Sequence, residues 1–269
     1  MEKIKKTIPN LLTTGNLVGG ILAIVLTLTG GIEYAPWCIF VSAIFDFLDG
    51  FVARLLKVQN ELGKQLDSLA DMVTFGVAPG IMMLTMIHIN FQKNSIVSFV
   101  NGNLLRTISK DYSQVQPWQE YLMYIALLIP IFALFRLAKF NLDTRQTSSF
   151  IGLPTPAMTL FFAVIPLLVI NGYESEVDWK IKMASFLINP LFLIISTIIL
   201  SVLMVTELPL FALKFKGFKW EDNKIRYVFL TIGLILFATL LFWSIPIIII
   251  LYLILSLINN NTIHKKNEI

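Results

Sequence analysis

Four aspartates, Asp46, Asp49, Asp67 and Asp71, stand within or beside long apolar stretches. An acidic side chain at mid-helix in a bilayer is unfavourable by about 2.5–3.5 kcal/mol, so four together amount to on the order of 10 kcal/mol. Arg54 is the only close basic residue of comparable depth, so ion pairing does not account for them. Their spacing does. Asp46, Asp49 and Ala53 follow i, i+3, i+7 and share one helix face, and Asp67 and Asp71 follow i, i+4 and share another. A turn centred near Asn60 makes the two helices antiparallel and, at about 1.5 Å per residue, sets Asp49 and Asp71 at matching depth. Asp46 then lies deeper and Asp67 nearer the cytoplasm. Converging carboxylates repel one another unless a cation is present. Oxygen ligands with no Cys or His nearby suit Mg²⁺, Mn²⁺ or Ca²⁺ rather than zinc. His88 falls near the opposite membrane face and His264 in the tail, so neither is a candidate ligand. Gly50 and Ala53 open space beside the carboxylates, and Gly63 loosens the turn. Arg54, one turn beyond Gly50, offers a planar fork of donors suited to a phosphate.

The elements that must carry these residues are membrane helices. Mean hydropathy is +0.76, with 56% hydrophobic and 14% charged residues, against about 25% charged in soluble domains. The apolar runs are continuous rather than alternating, which favours helices over a β-barrel. Eight spans are predicted, at about 11–30, 36–57, 66–88, 118–137, 156–171, 183–206, 227–243 and 245–258. The last two form a tight hairpin or one bent, re-entrant element, because Ser244–Pro246 leaves almost no loop. Pro9 and Pro154/Pro156 sit at helix starts, and interior Pro130, Pro166 and Pro190 imply kinks rather than breaks. With the N-terminus inside, 16 of the 21 Lys and Arg residues fall on inside segments and 5 outside. That split puts both termini in the cytoplasm. The net charge of +4 is a topology signal and an attraction to anionic headgroups. The basic residues are scattered over membrane-flanking loops, which argues against nucleic acid. No segment resembles a cleaved signal peptide. Cys38 is the single cysteine, so no intramolecular disulfide forms. The polar outer loop Asn90–Gln116 suggests no function.

Read in order, Asp46-Phe-Leu-Asp49-Gly50-Phe-Val-Ala53-Arg54, eight residues, Gly63, three residues, Asp67, three residues, Asp71 resembles the signature of the CDP-alcohol phosphatidyltransferases. That signature is D-x2-D-G-x2-A-R-x8-G-x3-D-x3-D, and every fixed position and spacer is met. The resemblance covers roughly residues 5–206. It implies a six-helix membrane core over residues 1–206, a homodimer and a CDP-linked lipid donor. Residues 207–269 then add a basic cytoplasmic loop, a C-terminal helical hairpin and a tail. Asp46, Asp49 and Asp67, with Asp71, would bind one or two Mg²⁺ or Mn²⁺ ions. Gly50, Ala53, Arg54 and Gly63 would shape the nucleotide and phosphate pocket, and Asp71 would act as the base.

Further stretches resemble the phosphatidylserine synthase branch of that family. They are Ile8-Pro9-Asn10-Leu-Leu-Thr13-Thr14-Gly15-Asn16, Ser68-Leu-Ala-Asp71-Met-Val-Thr-Phe75-Gly76-Val-Ala-Pro79, Arg136-Leu-Ala-Lys139-Phe-Asn141 and Gly152-Leu-Pro154-Thr-Pro156-Ala. This resemblance implies transfer from CDP-diacylglycerol to L-serine in the cell membrane, with the active site facing the cytoplasm. It adds Thr13 to the substrate contacts and gives the serine carboxylate to Arg136 and Asn141. The same chemistry with glycerol 3-phosphate or an inositol phosphate is the nearest alternative, with Arg136, Lys139 and Arg145 supplying the extra cations. An ion or metal transporter would need acidic residues reaching through the membrane or an internal repeat. A non-catalytic scaffold leaves the clustered carboxylates unexplained.

Overall fold

The computed structural model describes residues 2–91, 121–142, 149–211, 217 and 219–267. Most of the polar outer loop, with Lys93, Arg106 and Lys110, lies outside these residues, as do Arg145, Lys214 and Lys216. The chain runs through α1 (Glu2–Thr29), α2 (Ala35–Leu55) and α3 (Glu61–Asp71). α3 continues through a π-helical turn (Met72–Val77) into α4 (Ala78–Phe91). A 3₁₀ turn (Met123–Leu127) leads into α5 (Leu128–Leu142), then β1 (Ser149–Ile151) and α6 (Thr155–Tyr173). There follow α7 (Asp178–Leu187), α8 (Pro190–Val205), β2 (Pro209–Phe211), α9 (Trp220–Leu240), a second 3₁₀ turn (Leu241–Trp243) and α10 (Ser244–Asn267).

Helix α1 is inverted relative to a helix of a water-soluble protein. On α1, Thr13, Asn16, Gly20, Ala23 and Thr27 are buried at spacings of three and four, while Leu11, Val18, Ile21, Leu22, Val25 and Leu28 are exposed. Small and polar side chains face the helix contacts, and large apolar ones face outward. Lipid imposes that pattern, because it rewards close helix packing but not the burial of apolar side chains. Among the described residues, five helical segments are long and apolar enough to cross a membrane, or six if the pair α7–α8 is one span. This is an all-α membrane protein with one small ribbon, in which β1 and β2 pair antiparallel with Phe150 opposite Leu210.

Prolines act in three ways. Pro166 lies within α6 without ending it. Pro190 starts α8 behind an Asn189 cap, whose Oδ1 accepts from Leu191 N at 2.9 Å. α7 and α8 meet there at 64°, so this proline marks a break rather than the expected kink. Pro9 lies inside α1, which begins earlier than expected.

The apolar stretch Asn223–Asn259 folds back on itself. Leu241 has φ 49°, and the rings of Phe229 and Tyr252 lie 5.7 Å apart. A straight helix would separate those two residues by about 35 Å. Of the two forms expected from sequence, the tight hairpin is the one present. Its tip packs among aromatics: Trp243 Nε1 donates to Asn171 Oδ1 at 3.0 Å, Trp179 stacks edge-on at 5.3 Å, and Phe242 meets Trp37 at 5.2 Å. Tryptophan clusters of this kind favour the membrane–water boundary. The aspartates sit at the opposite end.

Candidate active site

The turn between α2 and α3 sets the register of the carboxylates. α2 ends in a Schellman motif: Lys57 N donates to Arg54 O at 3.2 Å and Val58 N to Ala53 O at 3.1 Å. Lys57 takes the left-handed position, φ 54°, usually given to glycine, and Val58 is buried. Asn60 then caps α3, its Oδ1 accepting from Gly63 N at 2.8 Å. The reversal is therefore centred near Val58 rather than Asn60. One turn of register follows from this. Asp67 comes opposite Asp49, and Asp71 opposite Asp46, instead of Asp49 and Asp71 sharing a depth.

Asp46, Asp49 and Asp67 each bring a carboxylate oxygen within 4.8 Å of the others. Asp71 stands outside that trio but faces Asp46 and Asp67. Helix α1 holds the group from the third side. Thr13 Oγ1 donates to Asp49 Oδ2 at 2.5 Å, and Asn16 Nδ2 donates to Asp71 Oδ1 at 2.9 Å. The Asn16 carbonyl accepts two hydroxyls, from Ser42 on α2 and Thr74 on the π-helical turn, each at 3.0 Å. Glycines make this approach possible. A Cβ on Gly19 would overlap the Ser42 hydroxyl, and one on Gly20 would come 2.8 Å from Thr74 Cα. Asn16 was not singled out as a site residue from the sequence. A fully buried amide on a polar stripe of an apolar helix, one turn from Thr13, is the signal that marks it.

A cavity of about 370 Å³ opens beside the trio. Its walls come from α1 (Pro9, Asn10, Thr13), α2 (Asp49, Gly50, Ala53, Arg54), the turn (Val58, Gln59, Asn60) and α3 (Glu61, Gly63, Lys64, Asp67). The structure thus brings Thr13, Gly50, Ala53, Arg54 and Gly63 onto one cavity, with Asp49 and Asp67 at its wall and Asp46 and Asp71 behind. Arg54 folds back over Gly50, its Nη1 3.4 Å from where a Cβ would stand. A Cβ on Gly63 would meet nothing closer than 3.6 Å. Neither glycine is required by its protein neighbours, and both border the open cavity. The start of α3 and the Arg54 and Lys64 cations border this cavity and suit phosphate oxygens.

The donor set fits a divalent cation. It is all oxygen, three carboxylates converge, and Asp67 Oδ1 is buried with no hydrogen-bond partner among the described residues. The remaining expected residues lie to one side. Asn141 Nδ2 donates to Ser68 Oγ at 2.7 Å and its carbonyl accepts from Lys64 Nζ at 3.0 Å, which ties α5 to α3 next to Asp67. Arg136 is buried on α5, with its guanidinium 5.3 Å from the Phe140 ring. Lys139 is exposed. Neither Arg136 nor Asn141 lines the cavity.

The sequence is similar to known proteins. The CDP-alcohol phosphatidyltransferase family profile matches residues 6–206. A CDP-diacylglycerol–serine O-phosphatidyltransferase of Bacillus subtilis strain 168 is 33% identical over 212 residues, 79% of this chain and 91% of its own length. One of the same description from Helicobacter pylori strain 26695 is 28% identical over 231 residues, 84% of this chain and 80% of its own. An archaetidylserine synthase of Methanothermobacter thermautotrophicus is 29% identical over 173 residues, 64% of this chain and 61% of its own. With the aspartate signature intact around a cation-compatible cavity and the profile spanning most of the sequence, the chain belongs to the CDP-alcohol phosphatidyltransferase family.

Proposed function

We propose that this protein is a phosphotransferase that moves the phosphatidyl group of CDP-diacylglycerol to the hydroxyl of L-serine, releasing CMP. The observation that carries the chemistry is the convergence of Asp46, Asp49 and Asp67 at a cavity flanked by Arg54 and the N-terminus of α3. Serine as acceptor is supported by the descriptions of its relatives.

On this reading Asp46, Asp49 and Asp67, with Asp71 adjacent, hold one or two Mg²⁺ or Mn²⁺ ions. Bound there, a divalent cation offsets the pyrophosphate charge and stabilises the leaving CMP. Gly50, Ala53 and Gly63 leave room for the nucleotide and phosphates, and Arg54 meets a phosphate at the mouth. Thr13 fixes Asp49. Asn16 donates to Asp71 Oδ1 and orients the carboxylate, and Asp71 takes the proton of the serine hydroxyl. The serine oxygen attacks the phosphorus nearest the lipid, the phosphorus–oxygen bond to CMP breaks, and CMP leaves with the electron pair. Arg136 receives the serine carboxylate, together with the second N–H of Asn141.

The wider arrangement follows the same reading. Counting α2, the α7–α8 pair and both arms of the hairpin separately gives eight crossings, with both termini and the site on the cytoplasmic side of the cell membrane. Residues 1–206 form the catalytic core and 207–269 the added loop, hairpin and tail, and the core pairs as a homodimer. The test is CMP release by purified protein given CDP-diacylglycerol and Mn²⁺ or Mg²⁺, with L-serine, glycerol 3-phosphate or inositol phosphate offered separately. Serine-dependent release is the expected result. Release with only a phosphorylated acceptor would overturn the choice of serine and keep the chemistry.

A further inference from the structure

The C-terminal hairpin lies beyond the residues matched by the family profile, yet it reaches back to the acceptor side of the site. Tyr252 on α10 donates its hydroxyl to the Phe211 carbonyl of β2 at 3.1 Å. The rings of Phe211, Phe229 and Tyr252 pack mutually at 5.0–5.7 Å. β2 carries that constraint to β1, and β1 runs into Gly152, whose N–H donates to Leu208 O at 2.8 Å. Gly152 has φ +76°, and a Cβ there would come 2.5 Å from Met204 O, so this corner has one way to sit. From it α6 departs, and Thr159 on its first turns donates to Phe75 O, in the π-helical turn that follows Asp71.

Arg136 is the second link. α5 packs along α3 and the π-helical turn, with Ala133 against Gly76 and Asn141 against Ser68. Arg136 falls between those two contacts, level with the residues just after Asp71. Tyr252 lies within electrostatic reach of the Arg136 guanidinium. A buried guanidinium depends on fixed surroundings, since a charge taken from water is held only by well-placed partners. None of the residues lining the nucleotide cavity comes from α9 or α10.

We propose that Tyr252 is a positioning residue: through the β-ribbon and Arg136, the C-terminal hairpin sets the affinity for the small polar acceptor and leaves the CDP-lipid site untouched. The inference rests on the reading of Arg136 as the acceptor contact. Wild-type CMP release is measured first, across the acceptor panel, and the acceptor that supports it is the one used below, so a wrong choice of serine shows itself separately.

The experiment is the steady-state kinetics of Tyr252→Phe, which removes one hydroxyl. A lost buried hydrogen bond corresponds to about a threefold to tenfold change. The KM for the acceptor should rise by that factor while the KM for CDP-diacylglycerol stays within twofold. In an Arg136→Gln background the same change should add less than twofold, because the hydroxyl acts through the arginine. An equal rise in both KM values, a fall in kcat alone, or full additivity in the double variant would overturn the proposal. If Tyr252→Phe does not give a monodisperse protein in detergent, Phe229→Leu loosens the same aromatic cluster and is judged by the same KM comparison.

Discussion

Replacing Thr13 by Val keeps the branched shape of the side chain and deletes one hydroxyl. That hydroxyl has a single proton and two acceptors, Asp49 Oδ2 at 2.5 Å and Pro9 O at 3.1 Å. The shorter, charged acceptor takes it. Thr13 and Asp49 are each only 5% exposed, so the hydroxyl is the ordered donor to this carboxylate. A hydrogen bond to a charged group contributes about 1.5–3 kcal/mol, which is about a 10- to 150-fold effect. Mutating the partner that orients a metal-binding carboxylate costs about 10- to 100-fold in metal affinity or activity. The two estimates agree, and both act on the ligand, not on the lipid. In Thr13→Val the Mn²⁺ or Mg²⁺ concentration giving half-maximal CMP release should therefore rise about 10- to 100-fold. Thr13→Ser should restore it. The assay is CMP release titrated with metal at saturating substrates, beside a thermal melt to confirm folding. A folded Thr13→Val protein with an unchanged metal requirement would refute the assignment of Asp49 as a ligand held by Thr13.

Other substitutions separate space left for ligand from space needed for packing. Gly50→Ala and Gly63→Ala meet no protein atom closer than 3.4 Å and 3.6 Å. Both should melt no lower than wild type, since alanine favours a helix over glycine, yet raise the KM for CDP-diacylglycerol or lower turnover by about tenfold or more, because small misplacements at a reacting site are costly. Gly20→Ala places a methyl 2.8 Å from Thr74 Cα. It should lower the melting temperature, because overpacking costs about 1–3 kcal/mol. Lys57→Gly relieves a left-handed residue with φ 54°, which costs about 1 kcal/mol or slightly more. It should raise the melting temperature with CMP release unchanged.

Much of the site was legible because its signals are local. Asp46, Asp49, Asp67 and Asp71 declare themselves by charge within apolar helices, and Gly50, Ala53, Arg54 and Gly63 by fixed spacing from them. Helical periodicity placed the carboxylates on facing helices. It missed their register by a turn, because the register depends on Lys57 adopting a left-handed conformation, which nothing in a lysine announces. The role of Asn16 is a tertiary fact: its amide matters because Gly19 and Gly20 let α1 approach Ser42 and Thr74 closely. Pro190 read as a kink because sequence does not show that Asn189 caps a new helix there. The hairpin at Leu241 was one of two forms left open, and ring contacts between Phe229 and Tyr252 decide it. The β-ribbon had no sequence signal at all, since three-residue strands carry no readable period.

The proposed mechanism divides the labour, with Asp46, Asp49 and Asp67 holding the cation and Asp71 carrying the proton. Metal-dependent binding of CDP-diacylglycerol, measured beside CMP release in Asp71→Asn and Asp49→Asn, tests it most directly. Asp71→Asn should keep metal-dependent binding and lose transfer, whereas Asp49→Asn should lose both. Equal loss of binding in the two variants would contradict the division.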